Sequence, residues 1–146
     1  MKKFTLCAIA LAAVTTISAC KQATKGTQDD SKALSAQAIE VHDEIMPQVS
    51  AFDQHSVLID SLLGNLTAVK TANPAIDTLK TRQELATLKD QLESATDKMM
   101  SWMYEYVTDS TDTDYQRAEV KRITALKAEF EKANTDASRI LEPFNK

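Results

Sequence analysis

From Leu85 to Tyr106 the apolar side chains fall at Leu85, Leu88, Leu92, Ala95, Met99, Trp102 and Tyr106. The steps alternate three and four, which draws a narrow seam along one side of a long helix. A half-buried strand would need an apolar residue at every second position, and no segment of the chain shows that pattern convincingly. Two glycines and three prolines in 146 residues leave few places where a helix must stop.

Two further stripes of the same period flank this seam. The first runs through Leu34, Ala38, Val41, Ile45, Val49, Phe52, Ile59, Leu62 or Leu63, Leu66 and Val69. It stays in phase across Pro47, so a single kinked helix is expected. A proline there loses one hydrogen bond and crowds the carbonyl of Asp43. Thr71-Ala72-Asn73-Pro74 is a stop signal. The second helix is expected over 75–107, with Lys80/Glu84 and Lys89/Glu93 pairs on its solvated side. The third stripe, Val120, Ile123, Leu126, Phe130, Ala133, Ala137 and Ile140, predicts a helix over 114–141 that Pro143 ends. Thr113 and Gln116 have capping-box spacing at its start. The expected fold is all-α: an antiparallel three-helix bundle with long coiled-coil-like helices, the first kinked at Pro47.

The N-terminus carries a different kind of information. Lys2 and Lys3 precede an apolar run from Phe4 to Ile17 that ends in Ile17-Ser18-Ala19-Cys20. This is the build of a secretory signal peptide, and its last four residues resemble a bacterial lipobox. The run is too short to span a bilayer. The expected organisation is a signal peptide at 1–19, a lipidated Cys20 with a flexible tether over 20–30, and a helical domain over 31–146. Residues 21–30 contain no large apolar side chain with which to offset ordering entropy. Loss of 1–19 removes Cys7, and acylation (palmitate and related chains) consumes the Cys20 thiol, so no disulfide is expected.

Cleavage also removes two lysines and no acid, which takes the net charge from −4 to −6. An acidic chain without a basic block is a poor nucleic-acid ligand and does not adhere to anionic lipid by charge. The expected partners are the membrane, through Cys20, and an envelope protein. Lys21 stands where an inner-membrane retention aspartate would follow the cysteine, and the first acids come only at Asp29 and Asp30. The expected location is the outer membrane, facing the periplasm.

Two stretches stand out chemically: Ile39-Glu40-Val41-His42-Asp43-Glu44-Ile45-Met46-Pro47 and Asp97-Lys98-Met99-Met100-Ser101-Trp102-Met103-Tyr104-Glu105-Tyr106. Folding the first two helices back about residues 73–74 sets His42 beside Glu105 and Met46 beside Ser101. The two stretches then meet at one level, with Tyr115, Ala118 and Glu119 of the third helix. Trp102 is expected to be buried among Met46, Met99 and Met103, with His42 at the rim. The His-Asp-Glu-Ile-Met-Pro and Met-Met-Ser-Trp-Met motifs, in this order and behind a lipoprotein signal, resemble a family of small lipoproteins from Bacteroidota. That family is often labelled "viral A-type inclusion protein". The resemblance implies a helical envelope lipoprotein and carries over no catalytic residue.

The motif residues His42, Asp43, Glu44, Met46, Pro47, Met99, Met100, Trp102 and Met103 are candidates for an interaction or structural site. No catalytic residue and no cofactor is expected. Asp43 and Glu44 are adjacent and point to different sides of a helix, so they make no acid/base pair. No Glu-x-x-His pair, nucleophile elbow, zinc motif or phosphate loop is present in the sequence. The alternative to an interaction module is a periplasmic copper-binding protein. His42 and Met46 share a helix face, as do Met99 and Met103, and such a set suits Cu(I). Methionine at helical spacing is more often core filling, and a lone histidine more often meets a carboxylate, here Glu105 or Glu119. His55 reads as a satisfied, half-buried histidine. Met100 and Met103 lie just off the seam and would widen an apolar face for a partner.

Overall fold

The computed structural model describes residues 20–144, with side chains from Gln28 onward. The signal peptide expected at 1–19 lies outside the described residues. Among the described residues the chain is helical and contains no strand: α1 is Cys20–Ile45, α2 Gln48–Gly64, α3 Leu66–Ala72, α4 Thr78–Glu105 and α5 Thr113–Leu141, followed by a 3-10 turn, Glu142–Phe144.

α1 starts at Cys20, so the backbone of 21–30 is helical where composition alone leads one to expect a tether. The reason lies further along. Ser31 and Ser35 are both buried, and Ser35 Oγ donates to the Thr108 carbonyl at 2.8 Å. A helix pinned there extends backwards one residue at a time without a new nucleation cost.

At its other end α1 stops at Ile45. Met46 and Pro47 form a turn, and α2 starts at Gln48. Pro47 keeps helical angles, φ −61° and ψ −21°. Met46 N still donates to the His42 carbonyl at 2.8 Å, and Val49 N reaches Met46 O at 3.2 Å. The break is therefore local, set by the amide hydrogen that Pro47 lacks. Ile45, Val49, Phe52 and Ile59 are buried on both sides of it, so the apolar stripe continues.

The stop at 71–74 is where the sequence puts it. Asn73 caps α3, its side chain accepts from Ala75 N at 3.3 Å, and Lys70 Nζ closes the turn on the carbonyls of Pro74 and Ile76, each at 2.7 Å. α4 then starts three residues later than expected because Asp77 is its N-cap, accepting from Leu79 N and Lys80 N. Capping also corrects the start of α5. Asp112, not Thr113, is the N-cap and accepts from Asp114 N at 2.9 Å and Tyr115 N at 3.1 Å. A carboxylate at that end also suits the helix dipole. Gln116 is thereby released from a capping role.

The buried faces of α1, α2, α4 and α5 form one apolar core, which includes Ala38, Ile45, Phe52, Ile59, the whole Leu85–Trp102 seam, Ile123, Phe130 and Leu141. α5 packs on α1 and α4, and α4 on α2 and α3. Phe52 and Phe130 stack at 4.8 Å between α2 and α5. Ion pairs stitch the rims: Lys89–Asp60 at 2.5 Å, Lys98–Glu129 at 2.6 Å, Lys127–Glu44 and Arg122–Glu105. The expected Lys89–Glu93 pair forms at 3.6 Å, and Lys80–Glu84 reaches only 4.0 Å. Among the described residues no helix is long and apolar enough to cross a membrane.

Candidate functional site

The two sequence motifs meet through aromatic rings. His42 of α1 stacks on Trp102 of α4 with ring centroids 5.8 Å apart and planes 27° apart. Trp102 stacks in turn on Tyr106 at 4.5 Å, and Tyr106 faces Tyr115 of α5 at 6.4 Å. Four rings thus form a column that runs through three helices. Trp102 is 3% exposed, as its place in the seam requires. Met99, one turn earlier, is fully buried in the core. Met46 is half-buried and packs against the same core, while Met100 and Met103 stay 41% and 44% exposed.

His42 does not find the partner expected for it. Its Nδ1 lies 2.9 Å from Oδ1 of its neighbour Asp43. Glu105 instead bonds Arg122, while Glu119 lies 3.7 Å from the same guanidinium, beyond hydrogen-bond distance, and its buried Oε2 has no hydrogen-bond partner among the described residues. For Glu105 the guanidinium outcompetes an imidazole because it is always charged and carries more donors. His42 Nε2 is buried without a hydrogen-bond partner among the described residues, as are Trp102 Nε1 and the Nδ1 of half-buried His55, so His55 is not the satisfied histidine that its place in the sequence suggests. Glu44 pairs with Lys127, and Pro47 sits exposed in the turn.

Beside the column lies a polar node that the sequence reading missed. Gln116 is fully buried. Its Nε2 donates to the carbonyls of Val107 at 3.1 Å and Ser110 at 3.2 Å, and its Oε1 lies 2.8 Å from the Tyr106 hydroxyl. Ser35 Oγ is 3.0 Å from the same hydroxyl, and the Tyr115 hydroxyl accepts from Val107 N at 2.8 Å. Burial pushes the Tyr106 phenol above its usual value of 10.0; the Ser35 contact opposes the shift, and the nearby Tyr115 and Glu119 add to it. A signal for this node was present. Stepping back from Ile123 by four and then three lands on Glu119 and Gln116, polar residues in the buried phase of α5. Stepping back from Ala38 lands on Ser35 and Ser31.

On the α4–α5 side a shallow groove of about 590 Å³ is lined in part by Trp102, Lys98, Arg122 and Glu129. Its basic groups are already paired with Glu129 and Glu105. Among the described residues no three His, Cys, Asp or Glu side chains come together as a metal-binding group. Comparison of the chain with protein-family models, curated proteins and solved structures finds no match.

Proposed function

We propose that this chain is a lipid-anchored envelope protein that offers a helix face to another envelope protein, with no catalytic role. The reading rests on one observation: large apolar side chains stay uncovered near the Tyr106 end of α4. Met100, Met103 and Val107 are 41–50% exposed, and Ile39 across on α1 is 40% exposed. Counted at 100° per residue, Met100 and Met103 fall on one edge of α4, away from the side that pairs with α5, and Val107 follows just past its C-cap. Single exposed apolar residues are ordinary; an aligned set marks a surface for association.

The bundle itself is read as antiparallel and three-legged, with α1 and α2 as one leg kinked at Pro47. Cross-helix pairs support this. Ser35 meets Tyr106 and Asp60 meets Lys89, while Glu44 meets Lys127 and Gln48 meets Asn134. The anchor is placed at Cys20, after cleavage of 1–19, with the protein on the periplasmic face of the outer membrane. Nothing in its acidic surface would hold it there by charge.

Capture from its own membranes with the native chain and with a Met100→Glu/Met103→Glu variant tests the face. A protein retained by the native chain and lost from the variant is the expected result; identical recovery by both overturns it. Labelling with a fatty-acid analogue, lost in Cys20→Ser, tests the anchor. Removal by protease shaving of intact cells would overturn the periplasmic orientation.

A further inference from the structure

We propose that His42, Met46 and Met103 form a binding site for one soft monovalent metal ion, Cu(I), at the edge of the α1–α4 seam, against the indole of Trp102.

The argument starts from the unpartnered nitrogen. With Nδ1–H donated to Asp43 at 2.9 Å, the His42 ring presents its lone pair at Nε2, which is buried and has no donor to meet it. A carboxylate behind one ring nitrogen, with the other left free, is how proteins orient a metal-binding imidazole. The His42 ring stacks on Trp102 with its plane 27° from the indole, and the Nε2 lone pair, which lies in the imidazole plane, is not engaged by that stack.

The register then decides what stands beside it. Ser35 meets Tyr106, and Asp60 meets Lys89. His42 therefore lies level with Trp102 and Met103, and Met46 one turn on, level with Met99. Met46 shares the helix face of His42, at i, i+4. Its amide keeps that phase through the 2.8 Å bond to the His42 carbonyl despite the turn at Pro47. On α4, Met103 is about 40° round from Met99 on the side that faces α1. Met99 is fully buried and serves the core, whereas Met46 is only half-buried at the edge of that core and Met103 is 44% exposed, so neither thioether is enclosed as that of Met99 is. One imidazole and two thioethers make a donor set that favours Cu(I) over harder divalent ions.

Trp102 is the chain's one tryptophan, so it reports on this site alone. The full chain carrying Cys7→Ser and Cys20→Ser, purified in detergent so that no thiol competes, is titrated with Cu(I) under anaerobic conditions. No partner or lipid anchor is involved, so failure of the interaction reading leaves this test intact. The expected result is quenching of tryptophan emission that saturates at one equivalent. It should be lost in His42→Gln, strongly weakened in Met46→Leu and Met103→Leu, and unchanged in Met100→Leu, with far-UV circular dichroism the same for all. Asp43→Asn should weaken binding by about 10–100-fold. Absence of saturable quenching overturns the site, and so does quenching that survives in His42→Gln.

Discussion

The Tyr106 hydroxyl lies 2.8 Å from Gln116 Oε1, which ties the C-cap residue of α4 to a fully buried side chain in the first turns of α5. The same glutamine holds the carbonyls of Val107 and Ser110. The Gln116 amide thus holds the α4–α5 connection from inside the protein, beside the Ser35 bond to the Thr108 carbonyl and the Tyr115 bond to Val107 N.

Removing that amide leaves loop carbonyls and the phenol without their partner. Gln116→Leu should cost roughly 1–3 kcal/mol, since burying an unsatisfied polar group carries its desolvation penalty. Tyr106→Phe deletes a donor but leaves the ring stack, and should cost about 0.5–1.5 kcal/mol. Urea denaturation of both variants checks this; a neutral Gln116→Leu would mean that the node is dispensable.

Trp102 is the largest ring of the aromatic column and is almost fully buried. Trp102→Ala should destabilise by about 3–5 kcal/mol, as for a core aromatic. His42→Gln, at the edge of the same stack, should cost much less. Emission of the native chain should be blue-shifted from that of tryptophan in water. A water-like maximum would contradict the burial on which the site rests.

Gly64 is exposed at the end of α2, and a methyl group added there meets nothing within 4 Å. Gly64→Ala should stabilise the protein by about 0.4–1 kcal/mol, because it lowers the entropy of the unfolded chain at no steric cost. A lower melting temperature for this variant would show that the space is not open.

The raised Tyr106 pKa makes stability fall at alkaline pH. Above 10.0 the unfolded phenol loses its proton while the buried one keeps it, so the folded state binds more protons and is disfavoured as pH rises. Lys89 and Lys127, raised by their hydrogen bonds to Asp60 and Glu44, act in the same direction above 10.5. In a tyrosinate absorbance titration Tyr106 should ionise later than free tyrosine, and Tyr106→Phe should remove that late component. A profile unchanged by Tyr106→Phe would contradict the prediction.

The helical class was legible because the periodicity of apolar residues is a local property. The seam from Leu85 to Trp102 and the stripe from Ile123 to Ala137 are buried as their spacing requires, while Val120 and Ile140 at the ends of that stripe are half-buried and Leu141 enters the core in place of Ile140. The stop at Asn73-Pro74 and the burial of Trp102 were legible for the same reason. Where the sequence reading failed, competition decided. Asp112 takes the cap that spacing offers to Thr113, and Arg122 takes the Glu105 carboxylate that spacing offers to His42. A spacing rule names the groups able to interact and does not rank their rivals.

By itself, then, the sequence determined that the chain is helical, which faces are apolar and that connections fall near Asn73-Pro74 and between Tyr106 and Asp112, but not the break at Asn65 or the helical backbone of 21–30. It also brought the His42 and Trp102 stretches to one level, because two helices of known length folding about a known turn leave little choice. Only the tertiary structure decided which polar groups share the interior: that Gln116, Tyr106 and Ser35 close on one another, that His42 turns Nδ1 to Asp43 and leaves Nε2 unmet, and that Met99 enters the core while Met103 stays at the edge. Those outcomes depend on side chains far apart in the chain meeting at distances of about 3 Å, where a shift of one residue in register changes every partner.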